Sequence, residues 1–596
     1  MKNAAKSVPN DLASSKIFRT FALMKKTAII LCTLLCITTA MTAQTNKTVT
    51  LQLIETSDVH GAFFPYDFIE RRPMKGTIAR VSTYLKRQRS RYGKNLILLD
   101  NGDILQGQPT CYYANYVRPE LPNVAAAVVN YLQYDAETFG NHDVETGHAV
   151  YDKWIREVQC PMLGANIVDT KSGQPYVQPY TLLERDGVRI AILGMLTPAI
   201  PNWLHQSLWA GLRFEEMVGS ARKWVKILKE QEKADIIVGL FHSGWDGGIA
   251  TMHYDEDATK KVAEQVQGFD VIFYGHDHTE NNTTLNGVLC LDPSCNAVKV
   301  AQATLQCTWK DGRWTVTRKH GEVVDITGEA IDEDYMRHFQ PQMDSVRTFV
   351  DRQIGTFKTP IRSRDSFFGP SPFTDYIHQL QLEVSHADIS INAPLTFDSE
   401  IKAGPVYVSD MFKLYRYENQ IYVLRMTGRE LRQLLELSYD QWVNTMKTPD
   451  DHIMLLTEHS WNDKQRMGFK NLTFNFDSAA GIDYEVDVTR PDGEKVRILQ
   501  MSDGRPFDEQ AWYQVAMNSY RGNGGGELLT RGAGIPMDSI PGRIVYMSER
   551  DQRHYLTEKI QREQVVEAKA FHNWRFVPDD WTKPAIERDR KLIFKE

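Results

Sequence analysis

The stretch Val49-Thr50-Leu51-Gln52-Leu53-Ile54-Glu55-Thr56-Ser57-Asp58-Val59-His60 joins a largely alternating, strand-like run to a short polar end. Four later stretches repeat this form: Asn101-Gly102-Asp103 after 95–99, Gly140-Asn141-His142-Asp143 after 136–139, Phe241-His242-Ser243-Gly244 after 236–240, and Gly275-His276-Asp277-His278 after 270–274. Because the carboxyl ends of strands in an open α/β sheet line one crevice, segments far apart in sequence can converge there. The pattern therefore predicts an α/β fold with a site at its strand ends.

Seven side chains in these stretches are candidate metal ligands: Asp58, His60, Asp103, Asn141, His242, His276 and His278. They offer carboxylate, amide and imidazole groups in a number suited to two ions, and hard-to-borderline divalent metals prefer such a mixed set. Each piece alone has a simpler interpretation, since two alternating histidines at a strand end can be merely exposed. Five pieces in order are rarely produced by chance placement of sixteen histidines, and they favour a dinuclear metal site.

These blocks resemble the calcineurin-like metallophosphoesterase family, whose order D-x-H, G-D, G-N-H-[DE], H, G-H-x-H is matched block by block. The resemblance implies a four-layer α/β domain that holds two divalent ions (Zn, Mn, Mg, Co or Ca), with Asp103 bridging them. Asp58, His60 and His278 would complete one metal site, and Asn141, His242 and His276 the other.

The same resemblance implies hydrolysis of a phosphoric ester by in-line attack of water activated between the two cations. His142 would face the substrate, stabilising charge or protonating the leaving alkoxide. Glu145 stands where 5′-nucleotidases have aspartate, and we expect it to orient His142.

Length and charge bound the possible functions. A chain of 596 residues needs at least two domains, because single cores stop growing near ~300 residues. A net charge of −7 provides no basic field for nucleic-acid polymers, whose binding depends on clustered Lys and Arg. Small anionic ligands held by metal remain compatible with this charge.

Residues 1–43 have the features of an export signal. Lys25-Lys26 precede a run of thirteen residues, 27–39, in which threonine is the most polar residue type. The run is too short for a stable membrane span, which needs ~20 residues; a short anchor helix is the alternative. Met24 is a second possible start. We expect a periplasmic or secreted, cell-surface protein.

Cys290 and Cys295 could close a small disulfide loop or be ordinary buried thiols.

Alternating strands and amphipathic helices, with helices at 78–88 and 217–230, indicate a catalytic domain over 44–328. A linker helix is predicted within 329–358. A mixed α/β domain follows over 359–550, with helices at 373–384 and 428–438 and strands at 389–391, 422–426, 472–476 and 484–488. The charged segment 551–596 either packs as a terminal helix or extends as a tail.

Two stretches of the second domain carry candidate substrate-binding residues. Tyr520-Arg521 precede a glycine run where backbone can approach a ligand, and Tyr417 and Asn419 offer a second aromatic near an amide. A glycine-rich turn and a half-buried strand tyrosine are the simpler interpretation. Two aromatic rings on separate loops could instead sandwich a base, since stacking is worth ~1–3 kcal/mol per base.

The second domain resembles the nucleotidase carboxy-terminal domain of exported 5′-nucleotidases and 2′,3′-cyclic-nucleotide phosphodiesterases. Three stretches resemble the cyclic phosphodiesterase/3′-nucleotidase branch: Leu99-Asp100-Asn101-Gly102-Asp103-Ile104-Leu105-Gln106-Gly107, Phe474-Asn475-Phe476-Asp477 and Asn518-Ser519-Tyr520-Arg521. The 5′-nucleotidase branch has arginines where this chain has Asn392-Ala393-Pro394-Leu395, and an aspartate where it has Gly526.

The resemblance implies an exported nucleotide phosphohydrolase, a 2′,3′-cyclic-nucleotide 2′-phosphodiesterase/3′-nucleotidase, with a small nucleotide as its partner. A 5′-nucleotidase or UDP-sugar hydrolase is the alternative within the superfamily. A surface nucleotide-binding protein without turnover is the alternative from another class, and the intact ligand blocks argue against it.

Overall fold

A computed structural model describes residues 47–461 and 464–595. The predicted export signal lies outside these residues. The described chain folds around several buried cores, and the elements that carry the polar stretches all belong to the amino-terminal half.

Two six-stranded sheets form the centre of the amino-terminal half. The first has the strand order Arg313–Asp325, Lys299–Lys310, Thr48–Thr56, Leu96–Asp100, Ala136–Thr138, Met162–Leu163. The second has the order Glu280–Leu285, Val288–Pro293, Val271–Tyr274, Ile236–His242, Val188–Leu196, Tyr180–Arg185. Within each sheet, the strands that precede the polar stretches run parallel to one another, so their carboxyl ends share an edge.

The two sheets pack face to face, and the alternation of the first strand shows why. Leu51 and Leu53 are fully buried in the core between the sheets, whereas Ile54 points to the opposite face and joins the core beneath the helices. Helices cover both outer faces: Ile78–Tyr92, Val124–Leu132, His148–Glu157, Met217–Glu230 and Thr259–Gln265. The result is a layered α/β domain, as the sequence pattern predicts, with the four layers that the family resemblance implies.

A helix at Glu333–Val350 lies inside the predicted linker. Asp332 caps its first turn by accepting hydrogen bonds from the backbone N–H groups of Asp334 and Tyr335 at 3.0 and 3.3 Å. Its apolar face, which includes Tyr335 and Phe339, is buried against the helices of the first sheet. Its role as a linker between domains stays a prediction.

The carboxy-terminal half is built on a five-stranded sheet with the order Ser478–Ala480, Ile389–Asn392, Trp512–Asn518, Gln420–Thr427, Ile544–Asp551. The main helices packed around it are Pro372–Ser385, Val408–Leu414, Gly428–Trp442 and Gln552–Glu563. Smaller sheets have the orders Val496–Met501, Ile482–Asp487, Trp574–Val577 and Gly404–Tyr407, Gln353–Phe357, Val565–Val566. This is the mixed α/β domain expected from the sequence.

The segment after Arg550 is folded into this second half. Helix Gln552–Glu563 is followed by strand Trp574–Val577 and helix Asp579–Phe594. Trp574 and Ile593 are buried in the main core of the second half. The described residues of 551–596 therefore pack against the second half and do not extend as a tail.

The strand predicted at 472–476 is wrong. Residues Thr473–Asn475 form a single 3₁₀ turn, with Leu472 63% exposed while Phe476 is fully buried. The hydroxyl of Ser438 on the neighbouring helix donates to the carbonyls of Asn475 and Asp477 at 3.2 and 2.9 Å. These backbone groups are bound by a helix side chain rather than by a partner strand, so the alternating pattern did not produce a sheet.

Cys290 and Cys295 are both free thiols, so the alternative of a disulfide loop does not apply in this structure. Cys290 is buried within strand Val288–Pro293. Among the described residues, no helix has both the length and the apolar composition that crossing a lipid bilayer requires.

Candidate metal centre and adjoining cavity

The structure brings all seven predicted metal ligands together at the carboxyl ends of the strands. Asp58, His60, Asp103 and Asn141 follow strands of the first sheet, and His242, His276 and His278 end or follow strands of the second. The centre therefore lies on the edge where the two packed sheets meet, which is why residues 220 positions apart can share it.

One group of ligand atoms converges around Asp58, His60 and His278. The two imidazole Nε2 atoms of His60 and His278 are 3.0 Å apart, and Oδ1 of Asp58 is 3.3 Å from Nε2 of His278. Nε2 of His60 is also 4.0 Å from both Asp58 Oδ1 and Asp103 Oδ2.

A second group converges around Asn141. Its Oδ1 is 3.1 Å from Nε2 of His242 and 2.8 Å from Nδ1 of His276. Nε2 of His242 is 3.3 Å from Oδ2 of Asp103. The same Asp103 oxygen therefore faces both groups, which is the position that a bridging carboxylate needs.

These distances fit cation coordination. Two ligand atoms bound to one cation at ~2.0–2.2 Å with tetrahedral or octahedral angles lie about 3.0–3.5 Å apart, close to most of the separations above. Oδ1 of Asp58 is fully buried, and among the described residues it makes no hydrogen bond despite its 3.3 Å approach to His278, although buried polar atoms are nearly always satisfied. A cation between Asp58, His60 and His278 would satisfy that oxygen, so the residues present fit divalent metal ions.

Five of the seven candidate ligands have left-handed backbone conformations. Their φ values are 50° for Asp58, 47° for His60, 55° for Asp103, 85° for His276 and 56° for His278. Such conformations cost non-glycine residues roughly 1–3 kcal/mol each and persist only where surrounding structure determines them. Strain concentrated in this way on one cluster of side chains is typical of a functional site.

Asp143 supplies much of that surrounding structure. Its carboxylate accepts hydrogen bonds from the backbone N–H groups of Gly140, Asp103, Ile104 and Leu105 at 2.7, 2.8, 3.0 and 2.8 Å. It thereby ties the loop of Asp103 to the turn that presents Asn141. Gly102 is required beside it, because φ is +85° there and an added Cβ would collide with the backbone of Gly140.

Outer hydrogen bonds orient the imidazoles. Nδ1 of His242 is 2.7 Å from the carbonyl oxygen of Asn101, and Nε2 of His276 is 3.1 Å from Oε1 of Glu256. Each ring therefore presents its other nitrogen to the centre, as metal-binding histidines do when a carbonyl or carboxylate fixes their tautomer. Glu256 was not found from the sequence. It is the middle residue of the short acidic strand Asp255–Asp257, and such a run carries no local signal of which carboxylate contacts a histidine.

The electrostatics of the centre favour bound cations. Burial lowers the pKa of His60 to about 4 and keeps its ring neutral. Burial would also lower the pKa of His242 and His278, but Asp103 raises the first to about 10 and Asp58 the second to about 11. The buried carboxylates therefore require positive charge, which protons supply until cations displace them.

His142 stands beside the centre and faces the cavity. Its Nδ1 is 2.6 Å from Oε2 of Glu145, and its backbone N–H donates to Oδ1 of Asp103 at 2.8 Å. Burial alone would lower the pKa of His142, but the Asp103 and Glu145 carboxylates outweigh burial and raise it to about 9. Both carboxylates therefore favour the protonated ring, whose Nε2 is left to donate a proton.

A cavity of about 940 Å³ opens from the centre and is walled by both halves of the chain. Asn141, His142 and His276 line it from the first half, and Tyr417 and Tyr520 from the second. Asn419 also lines the cavity; its Oδ1 accepts a hydrogen bond from the Ser519 hydroxyl at 3.2 Å, which joins the two tyrosine-bearing loops.

Arg521 is a correction to the predicted substrate-binding set. Its side chain is 1% exposed, lies 2.7 Å from Oδ2 of Asp477 and is not part of the cavity wall. It also donates to the carbonyl oxygens of Phe474 and Gly525. A buried guanidinium needs a carboxylate and several acceptors, so Arg521 supports the loops behind Tyr520 instead of reaching the ligand.

Several further aromatic rings line the cavity that were not predicted from the sequence, and two of them lie next to predicted site residues. Phe474 meets Tyr520 edge to face with ring centroids 6.1 Å apart, and Trp203 lies 5.7 Å from the ring of His276. Phe474 belongs to the stretch Phe474-Asn475-Phe476-Asp477, which resembles the cyclic phosphodiesterase/3′-nucleotidase branch. Trp203 lies in a loop whose sequence has no distinguishing pattern.

Two sequence families match the chain. The family described as calcineurin-like phosphoesterase matches residues 51–280, and the family described as 5′-nucleotidase, C-terminal domain, matches residues 353–531. The first match contains all seven candidate ligand positions, with His278 near its end.

Named relatives match most of the chain. The 2′,3′-cyclic-nucleotide 2′-phosphodiesterase/3′-nucleotidase of Yersinia enterocolitica is 26% identical over 624 residues, which cover 92% of this chain and 91% of that protein. The trifunctional nucleotide phosphoesterase protein YfkN of Bacillus subtilis (strain 168) is 26% identical over 90% of this chain, which spans 39% of YfkN. The crystal structure of the 5′-nucleotidase precursor from Thermus thermophilus shares the fold, with a TM-score of 0.61 and 20% identity over 89% of this chain and 100% of that chain.

Proposed function

We propose that this metal-dependent phosphoester hydrolase, whose two parts match the calcineurin-like phosphoesterases and the 5′-nucleotidase C-terminal domain, hydrolyses nucleotides with two divalent cations. The observation that carries this proposal is the shared cavity. The candidate metal ligands Asn141 and His276 line the same space as Tyr417 and Tyr520, so one nucleotide can present its phosphate to the first half and its base to the second.

Two cations bound by the seven ligands would supply Lewis-acid chemistry, polarising the phosphoryl group and activating water. The chain's own residues then divide the remaining tasks. Asp103, whose Oδ2 faces both ligand groups, would hold the two positions at a fixed separation. Asn141 contributes a neutral oxygen between His242 and His276.

Proton transfer falls to His142. The Asp103 and Glu145 carboxylates raise its pKa, and Glu145 fixes Nδ1 so that Nε2 is left to face the substrate. A ribose alkoxide is a poor leaving group, and a protonated imidazole within reach of it provides general-acid catalysis.

Tyr417 and Tyr520 would hold the base by stacking, and Asn419 keeps their two loops in register through Ser519. Such a clamp sets the distance from base to phosphate. We propose that the substrates are 2′,3′-cyclic nucleotides and 3′-nucleotides. The motif resemblances of the sequence and the Yersinia enterocolitica relative support this choice, as does the absence of arginine at 392–395.

Export completes the proposal. The composition of residues 1–43 supports a periplasmic or secreted, cell-surface location, where phosphate and nucleosides released from extracellular nucleotides would be available for uptake.

A substrate panel tests the proposed function. Purified protein is assayed with 2′,3′-cyclic AMP, 3′-AMP, 5′-AMP, UDP-glucose and nitrophenyl phosphate in the presence of Mn²⁺, Zn²⁺, Mg²⁺, Co²⁺ or Ca²⁺. We expect the highest kcat/KM for the cyclic and 3′ substrates, and no activity after chelation. The Asp103→Asn variant, purified identically, controls for contaminating phosphatases. A preference for 5′-AMP or UDP-glucose would assign the chain to the other branch, and nucleotide binding without turnover would contradict the enzyme.

A further inference from the structure

A buried chain of three side chains crosses between the two halves of the protein at the cavity, and two of them, Glu418 and Arg553, are part of its wall. Nε2 of Gln106 donates to Oε2 of Glu418 at 3.1 Å, and Oε1 of Glu418 accepts from Nη1 of Arg553 at 2.9 Å. Gln106 is 7% exposed, and the side chains of Glu418 and Arg553 are 8% and 2% exposed. We call these residues the interdomain bridge.

One end of the interdomain bridge is attached to the metal centre. Gln106 follows the candidate bridging ligand Asp103 by three residues, in the loop that Asp143 holds through the N–H groups of Ile104 and Leu105. The carbonyl oxygen of Gln106 lies 3.3 Å from Nδ1 of His60. The position of Gln106 is therefore fixed relative to the metal ligands.

The other end of the bridge is attached to the loop of Tyr417. Glu418 follows this tyrosine directly, and Arg553 donates to the backbone carbonyls of Tyr415 and Arg416 at 3.1 and 2.7 Å. The guanidinium of Arg553 also lies over the ring of Phe412, 3.9 Å from its centroid. The base-binding loop is thus held on both sides of Tyr417 by groups that belong to the bridge.

We propose that the interdomain bridge positions the base relative to the metal centre and thereby determines which phosphate position of a nucleotide is hydrolysed. This inference rests on the proposed binding of the base at Tyr417. Hydrogen bonds to ionised groups in a buried setting are short and strong, so the bridge keeps the base-to-metal distance nearly constant. A nucleotide whose phosphate does not match that distance cannot place its base and its phosphate at once.

Gln106 is the residue through which the bridge can be tested. Its side chain is not part of the cavity wall, so its removal takes no group from the ligand. In Gln106→Ala we expect KM for the preferred nucleotide to rise about threefold to tenfold, the effect of losing one hydrogen bond. The ratio of kcat/KM between the preferred and the disfavoured phosphate positions should fall. Hydrolysis of nitrophenyl phosphate, which has no base, and the bound metal content should stay at the parent values.

Gln108→Ala is the matched control. Gln108 lies in the same loop, but its Oε1 accepts from the backbone N–H of Phe68 at 3.1 Å within the first half, so it should leave the ratio between phosphate positions unchanged. Gln106→Glu sets two carboxylates against each other and should reduce discrimination further. Glu418 itself is left unchanged, because it is the carboxylate partner of the buried Arg553.

Two outcomes would overturn the inference: an unchanged ratio in Gln106→Ala, or an equal loss in Gln108→Ala. Equal slowing of nitrophenyl phosphate and nucleotides would also overturn it, because it indicates damage to the metal loop. A parent enzyme that prefers 5′-AMP would contradict the proposed branch but not the bridge, because the change in the ratio is measured relative to whichever position the parent prefers.

Discussion

Oε2 of Glu145 lies 2.6 Å from Nδ1 of His142, three residues earlier on the same short helix. The i to i+3 spacing places both side chains on one face of the helix. The contact leaves Nε2 of His142 directed to the cavity and supports the positive charge of the ring. Changing this contact is the most direct way to test whether His142 transfers a proton.

Replacing Glu145 by glutamine should move the alkaline limb of the pH profile to lower pH. An acid must be protonated to act, so activity falls as pH rises through the pKa of His142, which the Asp103 and Glu145 carboxylates raise above its ordinary value. Loss of that carboxylate lowers this pKa. The measurement is kcat against pH for 3′-AMP; Asp152→Asn, which alters the comparable His148 pair at 3.2 Å outside the cavity wall, should leave the profile unchanged. An unshifted limb in Glu145→Gln would remove Glu145 from this role.

Replacing His142 by alanine should slow substrates according to their leaving groups. A ribose alkoxide needs a proton, whereas nitrophenolate is stable near neutral pH. We expect kcat for nucleotides to fall about 10²- to 10⁴-fold and kcat for nitrophenyl phosphate to fall far less. Equal slowing would indicate charge stabilisation instead, and no slowing would exclude His142 from the reaction. Metal content, measured on the same samples, should equal that of the parent.

The number of metal ions bound by variants should distinguish the role of Asp103 from that of His278. Because Oδ2 of Asp103 faces both groups of ligand atoms, Asp103→Asn should weaken both sites together. His278 lies in the group formed with Asp58 and His60, so His278→Ala should lower occupancy mainly at one site. Elemental analysis after dialysis against increasing concentrations of chelator measures the metal content. If Asp103→Asn retained two ions and full activity, Asp103 would not be the carboxylate shared by the two metal sites.

Removing either tyrosine ring should raise KM for nucleotides alone. One stacking contact is worth ~1–3 kcal/mol, which corresponds to roughly tenfold to a hundredfold. Tyr417→Ala and Tyr520→Ala should show this rise for 2′,3′-cyclic AMP and 3′-AMP, with nitrophenyl phosphate nearly unaffected. Tyr417→Phe and Tyr520→Phe retain the rings and should retain the parent KM. Unchanged nucleotide KM in both alanine variants would exclude the base clamp.

His378 should make the second half less stable in acid. Burial lowers its pKa to about 3, and its ring lies between the hydroxyls of Ser390 and Ser478 at 2.8 and 3.3 Å. The unfolded chain binds a proton near pH ~6.5 and the folded chain only near 3. This contribution to stability is therefore complete above about 6.5 and is lost as pH falls toward 3.

Urea unfolding at several pH values measures the effect. His378→Gln should flatten the dependence of the unfolding free energy by up to ~1.4 kcal/mol per pH unit below pH ~6.5. His386→Gln changes an exposed histidine that ends the same helix and serves as the control. Identical pH dependence in His378→Gln and the parent would show that His378 does not titrate in this way.

Local patterns determined the parts of this protein that depend on neighbours in sequence. The helix Met217–Glu230 begins and ends where its amphipathic pattern does, and the first strand runs from Thr48 to Thr56 over the predicted alternation. The seven candidate ligands could be named because each follows a strand, and parallel strands bring their carboxyl ends to one edge. Backbone periodicity and strand direction are sufficient for these inferences.

Contacts between remote segments decided the rest. Whether Arg521 reaches a ligand depends on Asp477, which lies 44 residues away and neutralises it. The bridge from Gln106 to Glu418 spans 312 residues. Such pairs are formed only when the two halves of the chain pack and exclude water, because a buried charge or amide takes whichever partner the fold brings near it. Neither Gln106 nor Arg521 carries a periodic pattern that would identify its partner. The sequence by itself therefore determined the candidate metal ligands and the alternation of strands and helices, whereas the tertiary structure decided which polar side chains support the cavity and which face it.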